Sequence, residues 1–275
     1  MLMEKPEFGN VEKKQLFKER EEEFEVAGGK ARVVEIDPDE PKTDVPVFVA
    51  PSWACSTEVY RPVLEELAQQ KRKAISIDHP RIGGDLSSAP EGAIDKYPKE
   101  ILRRALNIVE VLDQKNIEKT DAIAHSIGAV DTVVAAMLRP EKFRNIVFYG
   151  AAGLIGKDTF PRLLKGFAGQ GKRAETLKEI PGYKAEDGEE VPGLKPIPIT
   201  ETEKKVAAKA ATEALKYFAK NPIRALKEAM ALTNEKSQIE EMLRYLHNEK
   251  KIGIVIMHAV DDPVFDQNTV RKMLK

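Results

Sequence analysis

Between Val45 and Tyr149, short apolar runs alternate with stretches of helical period. Val45 to Ala50 precedes Glu58 to Gln70, Ala74 to Asp78 precedes Lys99 to Asp113, Asp121 to Ala124 precedes Ile127 to Leu138, and Ile146 to Tyr149 follows. Apolar runs this short, each flanked by helices, hide their side chains best as strands covered on both faces. The pattern predicts an α/β fold, a mostly parallel central sheet flanked by helices. Ahead of it, Phe24-Glu25-Val26 and Ala31 to Ile36 surround Gly28-Gly29, which predicts a hairpin and an antiparallel entry to the sheet. Residues 1–23 are expected to form a charged N-terminal arm, with VEKKQLFKEREEE at 11–23 as a solvated helix or frayed segment.

After Gly156 the strand signal stops, and it resumes only at Ile252 to Met257. Between them lies a Pro- and Gly-punctuated stretch, then three helix-like segments. Their starts are marked by Thr200 with Glu203, by Asn221-Pro222, and by Ser237 with Glu240. The expected organisation is an α/β core over 24–156 and 248–275, interrupted by a helical lid over 157–247. The lid's charges, as at 201–205, read as a solvated face with i,i+4 pairs, and its apolar stripes read as packing.

Lys and Arg total 44 against 45 Asp and Glu, so no basic field is available to hold a nucleic acid. No apolar run is long enough to span a bilayer, which points to a soluble protein without a membrane span. The single cysteine, Cys55, forms no internal disulfide, and the opening MLMEKPEFGN lacks the apolar core of a signal peptide. A cytoplasmic location follows as the expectation. No cluster of His, Cys and acids has metal-ligand spacing, and Gly83-Gly84 lacks dinucleotide-site spacing, so neither metal nor organic cofactor is expected.

Ligands of parallel sheets bind at the C-terminal ends of the strands, so polar residues just after strands carry the functional argument. Ala124-His125-Ser126-Ile127-Gly128 joins a strand to a helix with small residues two positions either side of the serine. Such a turn presents Ser126 as a nucleophile at a helix N-terminus, or uses Ser126 as a plain N-cap. Pro51-Ser52-Trp53 follows the first parallel strand, where the Trp53 N–H joins that of Ile127 as an oxyanion donor, or Trp53 simply covers the sheet end. Asp262, preferred to Asp261, follows the last strand and either orients a histidine or shapes an Asp-Pro turn. Cys55 reads as a small buried thiol.

Together these residues resemble the α/β-hydrolase superfamily in its serine-nucleophile, lidded, esterase- or lipase-like branch. The resemblance runs from about Phe24 to the C-terminus apart from the lid. It rests on the Ala124-to-Gly128 elbow, on Pro51-Ser52-Trp53 where the family usually has His-Gly, on Asp78 to Gly84 where it often has Asp-x-Pro-Gly-x-Gly, and on Asp262-Pro263-Val264 at the acid. It implies a Ser126 nucleophile, an Asp262 acid, oxyanion N–H groups at Trp53 and Ile127, and a small-molecule acyl substrate. A serine at the elbow sets the chain apart from branches that use aspartate there.

The family places its catalytic histidine about 25 to 30 residues beyond the acid, after one more strand. Here Lys275 is 13 residues past Asp262. Of the four histidines present, His79 lies in a loop, His125 is the elbow neighbour, His247 ends a lid helix and His258 closes a strand, so none stands where the family has its base. The expectation is a C-terminally clipped hydrolase with weak or no turnover on activated esters. The alternatives are a non-catalytic protein that binds an apolar ligand beneath its lid, and an acyltransferase or C–C hydrolase of the same superfamily.

Overall fold

The computed structural model describes residues 17–27, 29–80, 85–156 and 201–259, with short stretches between 159 and 200 and between 262 and 274. The chain enters through a hairpin, β1 (Phe17–Val26) and β2 (Gly29–Pro38), with Val26 opposite Gly29 and Phe17 opposite Pro38. Residues 17–23, expected as helix or arm, are therefore strand. Their charges suit a solvated edge, where Glu21 meets Arg32 at 2.7 Å and Glu22 meets Lys115 at 2.9 Å. Residues 1–16, Gly28, and the Arg81-to-Gly84 loop lie outside the described residues.

β2 pairs antiparallel with β4 (Ala74–Asp78), and from β4 the sheet continues in parallel through β3 (Val47–Ala50), β5 (Thr120–His125), β6 (Phe143–Tyr149) and β9 (Gly253–Met257). Alternate side chains of β3 serve opposite faces. Val47 and Val49 pack beneath α1 (Thr57–Gln69) with Tyr60, Leu64 and Ala68. Phe48 and Ala50 join the larger core under α3 (Lys99–Gln114) and α4 (Ile127–Leu138). A short helix, α2 (Ala93–Lys96), precedes α3. Every residue of α4 from Ile127 to Ala136 is buried, as its almost wholly apolar sequence requires.

The insertion supplies a two-residue hairpin, β7 (Tyr183–Lys184) with β8 (Glu190–Val191), in a stretch where no strand was expected. Three helices follow: α5 (Glu201–Lys220), α6 (Pro222–Leu232) and α7 (Glu240–Asn248). Asn221 is the N-cap of α6 as expected, although its side chain makes no capping bond. Ser237 does not cap α7, since its buried hydroxyl donates to Ala231 O at 2.5 Å and Ile239 takes the N-cap position. α7 packs on α4, with Ile239, Leu243 and Leu246 in the main core. A last helix, α8 (Gln267–Leu274), ends the described chain.

Gly153 is the hinge of that packing. Its φ is +81°, its carbonyl accepts the Ile239 N–H at 2.9 Å, and a Cβ there would sit 2.5 Å from Ser237 O. Gly153→Ala combines left-handed strain with a backbone clash and should lower unfolding stability by about 3 kcal/mol, read by urea denaturation. A loss under about 0.5 kcal/mol would show that α7 is not clamped here.

Candidate active site

Ser126 stands between β5 and α4 with φ 54° and ψ −120°, a region that non-glycine residues seldom occupy. It holds the N-cap position, yet its side chain makes no capping hydrogen bond, so plain capping does not account for the serine. The backbone is fixed by its neighbours: Ser126 O accepts from Ala129 N at 3.0 Å and Ala152 N at 3.1 Å. Two residues on, a Cβ at Gly128 would meet Ala50 O at 2.7 Å and Pro51 O at 2.8 Å. Ala124 is fully buried in the same junction. The small residues of the elbow thus let α4 begin in contact with the β3 turn. Ile127 is the first residue of α4, where a helix leaves N–H groups without intrahelical acceptors.

The β3 turn is tied to the elbow through a tyrosine. Ser52 N donates to the Tyr60 hydroxyl at 2.8 Å, and that hydroxyl lies 2.6 Å from His125 Nδ1. The hydroxyl, while accepting from Ser52 N, can either donate to Nδ1 or accept from it, so the contact holds in either histidine tautomer. The Trp53 indole donates to Glu228 Oε2 at 3.0 Å and meets Phe218 of α5 edge-on at 5.0 Å. Its side chain therefore joins the core to the insertion.

At the third turn, Asp262 Oδ1 accepts from Val264 N at 2.8 Å and Phe265 N at 3.0 Å, a turn-forming role. Its Oδ2 faces Gly150, lying 3.6 Å from where a Cβ would stand, and His125 Nε2 approaches the same point to 3.8 Å. Asp262 Oδ2 and the His125 ring thus face the same point beside Gly150. Burial pushes the His125 imidazole down to about 4, partly offset by the Asp262 charge. Asp261 and Pro263 lie outside the described residues.

The remaining histidines are engaged elsewhere. His258 Nε2 bonds Phe265 O, and His247 Nδ1 lies 3.2 Å from Ile252 O. Among the described residues, no histidine hydrogen-bonds the Ser126 hydroxyl. Burial, with Glu213 nearby, pushes the Cys55 thiol up to about 11, which keeps it protonated and unreactive. No cluster of three potential metal ligands occurs among the described residues, and none of their helices is long and apolar enough to cross a membrane.

A cavity of about 320 Å³ opens one residue past Trp53, between the ends of β3 and β4 and helices α5 and α6. Ser126, 5% exposed, is not among its lining residues. Glu213, Lys216, Tyr217 and Lys220 line it from α5 at i, i+3, i+4 and i+7, one helical face. That spacing is the signal in the sequence, and treating the insertion's charges as a solvated face passes over it. His79 and Arg104 line the cavity from the core. Burial, then Arg104, Arg103 and Arg224, hold His79 well below its ordinary value, so it is neutral.

The overall structure is similar to an esterase from Exiguobacterium antarcticum, at 15% identity over 91% of this chain and 85% of that one, with a TM-score of 0.55. It is similar to an enol-lactonase from Burkholderia xenovorans at 13% identity, over 92% and 86% of the two chains, TM-score 0.56. An epoxide hydrolase from Vigna radiata aligns at 17% identity, over 94% and 85%, TM-score 0.52. No protein-family model matches the chain, and no curated protein matches it in sequence. The chain has the α/β-hydrolase fold. Such a fold hosts several chemistries, so the reaction must be argued from the site.

His125 makes a pH test of the site's geometry. Its folded value near 4 lies below the unfolded value of about 6.5, so its stabilisation is complete above 6.5 and is lost as pH falls through 4. His79 acts in the same direction. Between pH 7.5 and 4, the wild-type chain should lose about 3 kcal/mol more unfolding free energy than His125→Phe, measured by urea titration. Parallel curves for the two proteins would show that the imidazole is not buried as described.

Proposed function

We propose that the chain is a serine hydrolase that cleaves a carboxylic ester or related acyl bond through an acyl-enzyme on Ser126. The observation that carries this reading is the Ser126 backbone, held at φ 54° and ψ −120° with a hydroxyl that caps nothing. Strain of this kind costs about 1–3 kcal/mol and persists where the surroundings impose it, commonly at active sites. In this reading Ser126 Oγ attacks the acyl carbonyl, and the N–H groups of Trp53 and Ile127 hold the oxyanion. The reading requires a base, oriented by Asp262, that takes the serine proton and passes it to the leaving group before water releases the acid, and none of the described histidines bonds the Ser126 hydroxyl to fill that role.

A second reading has one observation in its favour. No described histidine bonds the Ser126 hydroxyl, and the cavity is not lined by Ser126, which suits a protein that binds a ligand without turning it over. Fluorophosphonate labelling separates the two, because an unassisted serine hydroxyl is a poor nucleophile. The hydrolase reading expects a single phosphonyl adduct, mapped to Ser126 by peptide mass and absent from Ser126→Ala. A wild-type chain that stays unlabelled under conditions that saturate an ordinary serine esterase would favour the binding protein.

A further inference from the structure

Two helices of the insertion fasten onto the turn between β3 and α1. From α5, Glu213 Oε2 accepts from Ser56 N at 3.0 Å and from the Ser56 hydroxyl at 2.6 Å. From α6, the buried Glu228 accepts the Trp53 indole N–H at 3.0 Å. Tyr217 of α5 donates to the same Glu228 oxygen at 2.6 Å, and Lys209 Nζ lies 3.6 Å from Glu58 Oε2 in the first turn of α1. Lys209, Glu213 and Tyr217 are spaced i, i+4 and i+8, so one face of α5 is directed at this turn and its helix.

The turn held in this way is strained. Ala54 lies between the two anchored residues with φ 57°, in the left-handed region that a residue with a Cβ enters at a cost of about 1–2 kcal/mol. Strain of this kind persists where the surroundings impose it. The core fixes the two ends of the turn, since Ser52 N donates to Tyr60 at 2.8 Å and Thr57 N to Asp78 at 2.6 Å. The side chains between those ends, Trp53 and Ser56, are held by carboxylates of the insertion on either side of Ala54.

We propose that the insertion regulates the site by holding the β3–α1 turn in its strained form, with Glu213 and Glu228 as positioning residues that fix the direction of the Trp53 N–H. The use of that N–H as an oxyanion donor rests on the hydrolase reading, whereas the hold on the turn does not. When α5 lifts away, Ser56 loses its carboxylate, Ala54 relaxes out of the left-handed region, and the chain through Trp53 reorients. The elbow then keeps Ser126 but loses one of the two N–H groups proposed to face the developing charge.

The test breaks one tether in the full-length chain with Glu213→Ala. Trp53 is the only tryptophan, so its fluorescence reports the turn directly. Acrylamide quenching of Trp53 should rise at least about twofold as the turn opens. Adding Ala54→Gly, which removes the left-handed penalty, should bring quenching back toward wild type. Glu213→Gln, whose amide oxygen still accepts from Ser56, should stay near wild type throughout. With a fluorophosphonate, Glu213→Ala should lower the limiting rate of labelling at Ser126 about tenfold and leave the half-saturating concentration unchanged. Quenching unchanged in Glu213→Ala, or raised equally with and without Ala54→Gly, would overturn the hold on the turn. Raised quenching with an unaltered labelling rate would overturn the positioning role. A wild-type chain that does not label, but shows the expected quenching in all three variants, supports the hold and counts against the nucleophile alone.

Discussion

The site depends on a missing side chain. Gly128 lets the first turn of α4 lie against the carbonyls of Ala50 and Pro51, at a separation that any Cβ would close. Three consequences follow from that one contact. The β5–α4 turn is forced to be sharp, which places Ser126 in its unusual backbone region. The N-terminus of α4, the positive end of its dipole, is directed at the space in front of the serine. The turn after β3 is brought beside the turn after β5, so that Trp53 and Ile127 stand on neighbouring loops. The Tyr60 hydroxyl, bonded to Ser52 on one loop and His125 on the other, then fixes how the two face each other.

A second constraint joins the insertion to the core. Glu228, 1% exposed, is a buried carboxylate whose partners come from separate parts of the chain: Trp53 from the β3 turn, Tyr217 from α5 and Arg224 from its own helix, with Arg103 and Arg104 of α3 at 4.0 Å. Burial alone would raise its pKa, but Arg104, the Tyr217 hydroxyl and Arg224 bring it below its usual value, so it stays ionised. A network of this kind adds little net stability over apolar packing of the same shape, because desolvating the charges costs about what their attraction returns. What it supplies is register. With one helix rotated, the carboxylate would lose several donors at once, so α5 and α6 have one favourable way to sit above the sheet.

The parallel sheet and the elbow are legible because both are written in local patterns. Apolar runs of strand length give the sheet, and a serine between Ala124 and Gly128 at a strand-helix junction gives the elbow. β1 escapes such a reading because its sequence, FKEREEEFEV, has the charge density of a solvated helix; its strand character comes from pairing with β2 along its whole length, a contact outside any local window. Ser237 fits a cap on the same local logic, and burial against Ala231 O overrides it. The cavity is the least legible part. Its α5 face can be found from the helical spacing of Glu213, Lys216, Tyr217 and Lys220, but His79 and Arg104 reach it from different elements, and only the fold brings them together.

These two constraints meet at Trp53. Its backbone belongs to the turn that Gly128 holds beside the elbow, and its indole belongs to the buried network that positions α5 and α6. One residue further on, Ala54 begins the wall of the charged cavity. A single loop after β3 therefore joins the turn beside the elbow to the wall of the cavity. Any movement of the insertion that breaks the Trp53–Glu228 bond must leave a buried carboxylate short of a donor, at a cost of about 1–3 kcal/mol or more.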